Sequence, residues 1–224
     1  MKLGILIPYY KNSEACEVYF KKLMKTLEKQ VGGNIILIIY EDGQSSEWLK
    51  NYKMAYKIIN EINEGIAAAR NYLLAFTGGM DYIMFLDSDD MIDCDFVSKM
   101  YEAASSGNYD MITSRFIYNK QEMFYPKRCN VAGICLRTEF IKGITFNEDY
   151  NISEDTLFIN EVYDRKPRIG NIDSNYYYNY GINPNSLMMR FERSEIKLRR
   201  DNNEKYIVNN IYIYYVLFNM EMEL

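Results

Sequence analysis

The chain has 224 residues, of which 48% are hydrophobic and 25% charged. This size and balance support one α/β domain with a sizeable core and exclude a disordered or fibrous protein. The net charge of −5 argues against nucleic acid as a main partner, because nucleic-acid binders present a basic face. No histidine occurs, so acid–base chemistry falls to carboxylates, lysines, tyrosines or a cysteine. A metal site would use oxygen ligands, which suit Mg2+ or Mn2+ better than Zn2+.

Strands and helices alternate from the start of the chain. The apolar run from Leu3 to Pro8 predicts a buried strand that the proline ends. Apolar residues then recur on one helix face from Cys16 to Val31, and Gly32-Gly33 predicts the end of that helix. The continuous Ile/Leu run from Asn34 to Tyr40 is typical of a strand buried on both faces.

The alternation continues beyond this second strand. An alanine-rich helix is predicted from Gly65 to Phe76, and Gly78-Gly79 ends it. A strand, a helix and a strand follow, at Asp81 to Leu86, Asp93 to Ser105 and Tyr109 to Tyr118. From about Asn119 the strands become short, and after Arg190 the pattern is helical. Such alternation predicts a mainly parallel sheet with helices on both faces.

Three polar turns follow predicted strands, namely Pro8-Tyr9-Tyr10, Glu41-Asp42-Gly43 and Asp87-Ser88-Asp89. In parallel α/β sheets, ligands bind beyond the carboxyl ends of the strands. We therefore expect the three turns to line one crevice.

The acidic run from Asp87 to Asp90 has two interpretations. Carboxylates this close repel one another, so they need protonation, basic partners or a cation, and a divalent cation would also hold the oxygens of a diphosphate. The alternative is an acidic turn in which Asp90 or Asp93 caps the following helix.

The segment from Asn63 to Asn71 supplies a glycine at a helix start, small residues and one arginine. The small residues allow close packing, and Arg70 could reach a phosphate. The alternative is a plain amphipathic helix with a solvated arginine.

The four cysteines, Cys16, Cys94, Cys129 and Cys135, form no CxxC pair. We expect them to be reduced thiols of a cytoplasmic protein. The first apolar run is too short for a signal peptide, and none of the later ones reaches the roughly 20 residues of a membrane span.

Four motifs together resemble the family 2 glycosyltransferases of the GT-A fold, in the same order and spacing: Ile7 to Lys11, Glu41 to Gly43, Asn63 to Asn71 and Phe85 to Asp90. The resemblance covers roughly residues 1–190. It implies a Rossmann-like nucleotide-binding sheet with a smaller acceptor-side subdomain. Residues 1–118 would be the nucleotide-sugar-binding half, 119–190 the acceptor-binding half and 191–224 a C-terminal helical extension.

The resemblance implies a donor site for a UDP-sugar or another nucleotide sugar. The base would lie along Pro8, Tyr9 and Tyr10 and would bond to Asp42. Arg70 would lie close to the diphosphate, and Asp87 would contact the ribose or the donor sugar. The other implied donor-binding residues are Asn63, Gly65 and Ser88. Asp89 would ligate Mn2+ or Mg2+.

The segment from Ile152 to Phe158 resembles the family's Glu-Asp segment at a helix start. The resemblance implies that Asp155 is the general base that takes the proton of the acceptor hydroxyl during an inverting displacement. The alternative is that Ser153, Glu154 and Asp155 only cap the helix.

The chain departs from the family where many relatives carry a histidine as a metal ligand. The matching stretch is Asn183 to Ser186, where Asn183 could offer a carbonyl oxygen. The family's processive motif is also absent, which argues against a membrane-embedded polysaccharide synthase.

The expected function is therefore that of an inverting, metal-dependent glycosyltransferase acting on a bacterial or phage-type surface glycan or glycoconjugate. The alternatives are a non-catalytic nucleotide-sugar- or glycan-binding relative and a nucleotidyltransferase. Phe124, Tyr125 and the tyrosines from Tyr176 to Tyr180 could stack on sugars or lie in the core. The C-terminal helix would pack on the domain, form a homodimer or lie on the inner face of the membrane.

Overall fold

Nine strands form one sheet, and five helices accompany it, within the residues that the computed structural model describes, which are 1–43, 45–118, 120–123, 128–150 and 154–178. The strands are β1 (Leu3–Tyr9), β2 (Ile35–Asp42), β3 (Ala55–Asn60), β4 (Tyr82–Phe85), β5 (Met91–Ile92), β6 (Met111–Tyr118), β7 (Gln121–Met123), β8 (Cys135–Arg137) and β9 (Ile169–Tyr178). The helices are α1 (Glu14–Leu27), α2 (Glu47–Lys50), α3 (Ile66–Ala75), α4 (Phe96–Ser105) and α5 (Glu154–Asp164).

The strand order is β3-β2-β1-β4-β8-β6-β9-β5, with β7 paired to β6. The strands from β3 to β4 are parallel, as is the long pairing of β6 with β9, whereas β8 runs antiparallel to both of its neighbours. The predicted α/β class is confirmed. The same sheet continues across residue 118, so strands of the later half extend the nucleotide-side sheet instead of forming a sheet of their own.

Successive side chains of strand β1 point to opposite faces of the sheet, as the period of two requires. Leu3, Ile5 and Ile7 share one apolar cluster with residues of α1 and α4. Leu6 belongs to a second cluster with residues of α3 and α5. Helices therefore cover both faces, as the sequence predicts.

The first strand does not end at Pro8 but continues to Tyr9. The carbonyl of Leu6 accepts from Leu86, so the backbone groups of Leu6 and Pro8 face β4. The pairing with β4 stops at Leu6. The missing N–H of Pro8 thus falls where no strand needs a donor, and the proline is tolerated.

Several predicted boundaries are wrong. Helix α1 ends at Leu27 rather than Val31, and α4 begins at Phe96 rather than Asp93. The sequence prediction also missed α2 and the edge strand β3. The chain just beyond α1 contacts the start of α4: Oε1 of Gln30 accepts from the backbone N–H of Val97 at 2.9 Å and so caps that helix.

Within the described ranges, no helix combines the length and the apolar character that a membrane span requires. Asn183, Ser153, Phe124, Tyr125, Tyr180 and the C-terminal helical extension lie outside the described residues. The predictions that concern them stay predictions.

Candidate active site

A cavity of about 420 Å³ opens at the carboxyl ends of β1 and β2. Its lining includes Tyr10 and Gly43, which follow these two strands, and Asn63 from the loop before α3. Gly43 has φ +110°, and a Cβ there would lie 3.2 Å from the ring of Tyr10. Glycine therefore lets the two turns approach, and the predicted meeting of the first two turns is found.

Tyr9 takes no part in lining this cavity. Its ring is buried against Phe20, with 4.3 Å between the ring centroids, and its hydroxyl accepts from Ser46 at 3.3 Å. Pro8 is buried in the strand as well. Pro8 and Tyr9 are therefore packed beneath the turn, and Tyr10 is the exposed residue of the three.

Asp42 shapes the loop that carries Asn63. Its two carboxylate oxygens accept the backbone N–H groups of Glu64 and Gly65, each at 2.9 Å. Burial raises the pKa of Asp42, and the two backbone donors oppose that rise. Gly65, at φ +96°, is the N-cap of α3, so the carboxylate fixes the loop against the start of this helix.

Arg70 on α3 is 3% exposed, so the alternative of a solvated arginine is wrong. Its Nη2 donates to Oδ1 of Asp87 at 3.0 Å, and its Nη1 donates to Oε1 of Glu154 at 2.5 Å. The predicted nearness of Arg70 to the acidic motif is found. Glu154 is a partner that lies 84 residues away in sequence and carries no local signal.

The next residue of α3 ties the helix to the segment before α5. The side chain of Asn71 accepts from the N–H of Phe146 at 2.8 Å and donates to the carbonyl of Phe146 at 2.9 Å. The Phe146 ring stacks on Phe158 of α5, with 4.2 Å between the centroids. Both polar side chains at this point of α3 therefore anchor elements of the later half.

The acidic run divides between two groups of partners. Asp87 turns to Arg70, whereas Asp90 is 1% exposed and accepts a short hydrogen bond from the hydroxyl of Tyr176. Asp93 accepts from the backbone N–H of Asn175 and the hydroxyl of Tyr177, each at 2.8 Å. The capping alternative for Asp90 and Asp93 is wrong, because both side chains bind β9 and the N-cap of α4 is Asp95.

Tyr176 is a supporting residue whose role the sequence did not reveal. Its hydroxyl also accepts from the backbone N–H of Asp87 at 3.4 Å, so one side chain contacts both ends of the acidic run. The ring is buried against Phe116 and against Gly133, where a Cβ would lie 2.4 Å from the ring. Tyr176 therefore belongs to the core and is not a sugar-stacking surface.

Asp155 is half-buried in the first turn of α5, where its Oδ1 accepts from the N–H of Thr156 at 2.8 Å. Burial and the charge of Glu154 raise the pKa of Asp155 to about 7, while Arg70 lowers it and Asp87 raises it further. We call Arg70, Asp87, Glu154 and Asp155 the Arg70 cluster. A carboxyl group with a pKa raised in this way is a candidate for a general base.

Few of the described protein groups are placed to bind a divalent metal ion. Among the described residues, no group of three or more His, Cys, Asp or Glu side chains could hold a metal ion. Ser88 and Asp89 are partly exposed at the end of β4, so Asp89 offers the oxygen ligand that Mg2+ or Mn2+ takes. Such an ion fits here only if a bound diphosphate supplies further oxygens.

Comparison with known proteins connects this geometry to a family. A sequence model described as Glycosyl transferase family 2 matches residues 4–165. The chain is 31% identical over 132 residues to Glycosyltransferase GlyA of Streptococcus pneumoniae, covering 55% of the chain and 18% of GlyA. It is 21% identical over 169 residues to poly(ribitol-phosphate) beta-N-acetylglucosaminyltransferase TarP of Staphylococcus aureus, covering 73% of the chain and 50% of TarP.

A solved structure agrees in fold. The chain matches residues 1–349 of S. aureus TarS in complex with UDP-GlcNAc with a TM-score of 0.66 at 20% identity, covering 80% of the chain and 58% of that structure. This likeness confirms the predicted GT-A fold class. The chain spans less than two thirds of the length of each of these three relatives.

Proposed function

The chain belongs to glycosyl transferase family 2, and from this premise we propose that it transfers a sugar from a nucleotide sugar to an acceptor hydroxyl, with inversion at the anomeric carbon. The Arg70 cluster is the observation that carries the proposal. Arg70 joins Asp87 at the end of β4 to Glu154 at the start of α5, and the pKa of the adjacent Asp155 is raised to about 7. In this proposal Asp87 contacts the donor and Asp155 is the base, at the same edge of the sheet.

The donor is a UDP-sugar in this proposal. The cavity beside Tyr10, Gly43 and Asn63 has room for a base and its ribose, at about 420 Å³. Asp42 holds the loop that forms its wall, and in this proposal the partly exposed carboxylate of Asp87 contacts the ribose or the donor sugar. The likeness to TarS, which was solved with UDP-GlcNAc, supports UDP as the nucleotide.

Asp89 would hold Mg2+ or Mn2+ together with the oxygens of the diphosphate, and Asn183 is the further ligand proposed from the sequence. The chemistry that such an ion supplies is neutralisation of the negative charge on the leaving diphosphate.

Asp155 takes the proton of the acceptor hydroxyl as its oxygen attacks the anomeric carbon. The bond from that carbon to the diphosphate oxygen breaks, and UDP leaves with the electron pair. Glu154 is less suited to this role, because it is 5% exposed and its Oε1 accepts from Arg70. The acceptor class in this proposal is a bacterial cell-wall glycan or related glycopolymer, which the likeness to TarP supports.

A panel of UDP-sugars tests the donor and the metal together. We expect one UDP-sugar to raise the Tm with Mn2+ and to lose most of that effect in EDTA, because a ligand stabilises in proportion to RT ln(1 + [L]/Kd). Asp89→Asn should lose the metal-dependent part. Asp149→Asn, which changes an exposed aspartate, is the matched control and should keep it.

Product analysis on the same samples separates the competing functions. Release of UDP from the stabilising donor supports the transferase. Binding without any turnover supports a non-catalytic relative. Release of pyrophosphate when UTP and a sugar 1-phosphate are supplied instead supports a nucleotidyltransferase.

A further inference from the structure

Three carboxyl groups gather round one buried guanidinium in the Arg70 cluster. Arg70 bonds to Asp87 and Glu154, and Asp155 follows Glu154 on the same helix. If all four groups were ionised, negative charges would exceed positive charges by two. Such a cluster is sensitive to the loss of its one cation, because the carboxylates then repel one another in a site with little solvent.

Resting on the proposed function, we propose that Arg70 is a positioning residue for Asp155: it fastens α5 to the end of β4 and supplies the positive charge that stabilises the ionised base. Arg70 thus acts through other residues instead of binding the diphosphate itself. Both Nη atoms already donate to protein carboxylates, and the side chain is 3% exposed. The burial of the side chain also leaves little of the guanidinium open to a phosphate ligand.

The mechanical part of the role follows from the contacts of α3. Arg70 reaches Glu154 at the first residue of α5, and its guanidinium lies 5.4 Å from the centre of the Phe146 ring. That ring stacks on Phe158 of α5. Since Asn71 holds the Phe146 backbone independently, α5 keeps part of its anchorage when Arg70 is replaced. Variants of Arg70 can therefore fold while Asp155 loses its support.

The electrostatic part of the role has two opposed components. Glu154 on the same helix and Asp87 at the end of β4 both raise the pKa of Asp155, whereas Arg70 from α3 lowers it. Cys129, before β8, is a neutral neighbour whose own pKa burial and the charge of Asp155 raise. Removing the charge of Arg70 should therefore raise the pKa of Asp155, and removing the charge of Glu154 should lower it.

The test compares Arg70→Gln, Glu154→Gln, the double variant and Arg115→Gln. Arg115 pairs with the exposed Asp173 on the surface and is the matched control. The carboxyl carbon of Asp155, assigned with Asp155→Asn, is titrated by 13C NMR without donor. We expect the midpoint to rise by about one pH unit in Arg70→Gln and to fall by about one in Glu154→Gln. Arg115→Gln should match the wild type.

Turnover gives a second readout, with UDP-GlcNAc and Mn2+ as the probe and UDP release as the signal. A one-unit rise from about 7 leaves about fivefold less ionised Asp155 at pH 7. Arg70→Gln should thus lose about fivefold in kcat at pH 7 and recover nearly all of it at pH 9, which a merely structural defect would not do. If Arg70→Gln does not fold, Arg70→Lys keeps the charge and should leave the midpoint unchanged.

The positioning role would be overturned if the titration midpoints of Asp155 in Arg70→Gln and Glu154→Gln stayed at the wild-type value. It would also be overturned if the two midpoints moved in the same direction. Opposite shifts in a protein whose wild type turns over no UDP-sugar would support the electrostatic role and contradict the proposed function. The two failures are therefore distinguishable.

Discussion

The acidic segment after β4 contributes to two sites that hold carboxylates in different ways. In the Arg70 cluster, Asp87 and Glu154 share a buried cation, and the pKa of the adjacent Asp155 is raised to about 7. On the other side, which we call the β9 clamp, Asp90 and Asp93 bind hydroxyl and backbone N–H groups of residues 175–177. The first arrangement balances charge and suits proton transfer, whereas the second fixes a loop. Neighbouring aspartates can therefore differ in role because their partners differ.

The largest expected effect is the loss of protein stability when the Arg70 cluster is broken. Arg70→Ala should lower the free energy of unfolding by about 3–5 kcal/mol, because it leaves Glu154 buried without its cation. Urea unfolding at pH 7 measures this loss. Arg115→Ala breaks an exposed ion pair and should cost at most about 1 kcal/mol. Equal losses of unfolding free energy in the two variants would mean that the Arg70 cluster contributes no more to stability than a surface ion pair does.

A substitution in the β9 clamp should lower protein stability by less. Tyr176→Phe removes the hydroxyl that binds Asp90 and the N–H of Asp87, and it should cost about 1–3 kcal/mol. Tyr56→Phe, at a tyrosine that is 70% exposed, should stay within about 0.5 kcal/mol of the wild type. The comparison would fail if Tyr176→Phe changed the pH at which Asp155 titrates while leaving stability untouched.

The smallest expected effect is a pH-dependent gain in protein stability when Asp155 is replaced. The pKa of Asp155 in the folded protein is raised to about 7, above the ordinary value of an aspartate, so ionisation of this group opposes folding. The penalty is absent below the unfolded pKa, grows as the pH rises towards 7 and is constant above it. Asp155→Asn should therefore be more stable to urea than the wild type at pH 8. We expect a gain in the free energy of unfolding on the order of 1–2 kcal/mol there, which discounts the pKa shift for the partial exposure of the side chain, and little gain at pH 4. A gain that is the same at both pH values would contradict the raised pKa.

Much of the nucleotide side could be predicted from the sequence. Continuous Ile/Leu runs place β1 and β2 in the middle of the sheet, and the turns after them meet at the cavity beside Tyr10 and Gly43. These features follow from local patterns of period two and from the rule that parallel strands present their carboxyl ends together. The edge strand β3 was missed because edge strands show little continuous burial, and its side chains are at most partly buried.

The supporting contacts of the site could not be predicted in this way. Glu154 lies 84 residues from Arg70, and Tyr176 lies 86 residues from Asp90. Arg70 meets Glu154 because α3 and α5 pack in the same apolar cluster, and Tyr176 meets Asp90 because β9 pairs with β5. No spacing in the sequence records either approach. The cap that Gln30 gives to α4 is a third case. Local patterns thus located the acidic run, but only the fold shows which aspartates bind which partners.

The central claim is that Asp155 is the base of a sugar transfer. It is tested most directly by the rate of UDP release from the UDP-sugar that stabilises the protein, with Mn2+, in the wild type, Asp155→Asn and Asp164→Asn. Asp164 is an exposed aspartate at the other end of α5 and makes the same chemical change on the same helix. We predict a loss of at least about 100-fold in Asp155→Asn and wild-type rates in Asp164→Asn. Equal rates in the wild type and Asp155→Asn would contradict the claim.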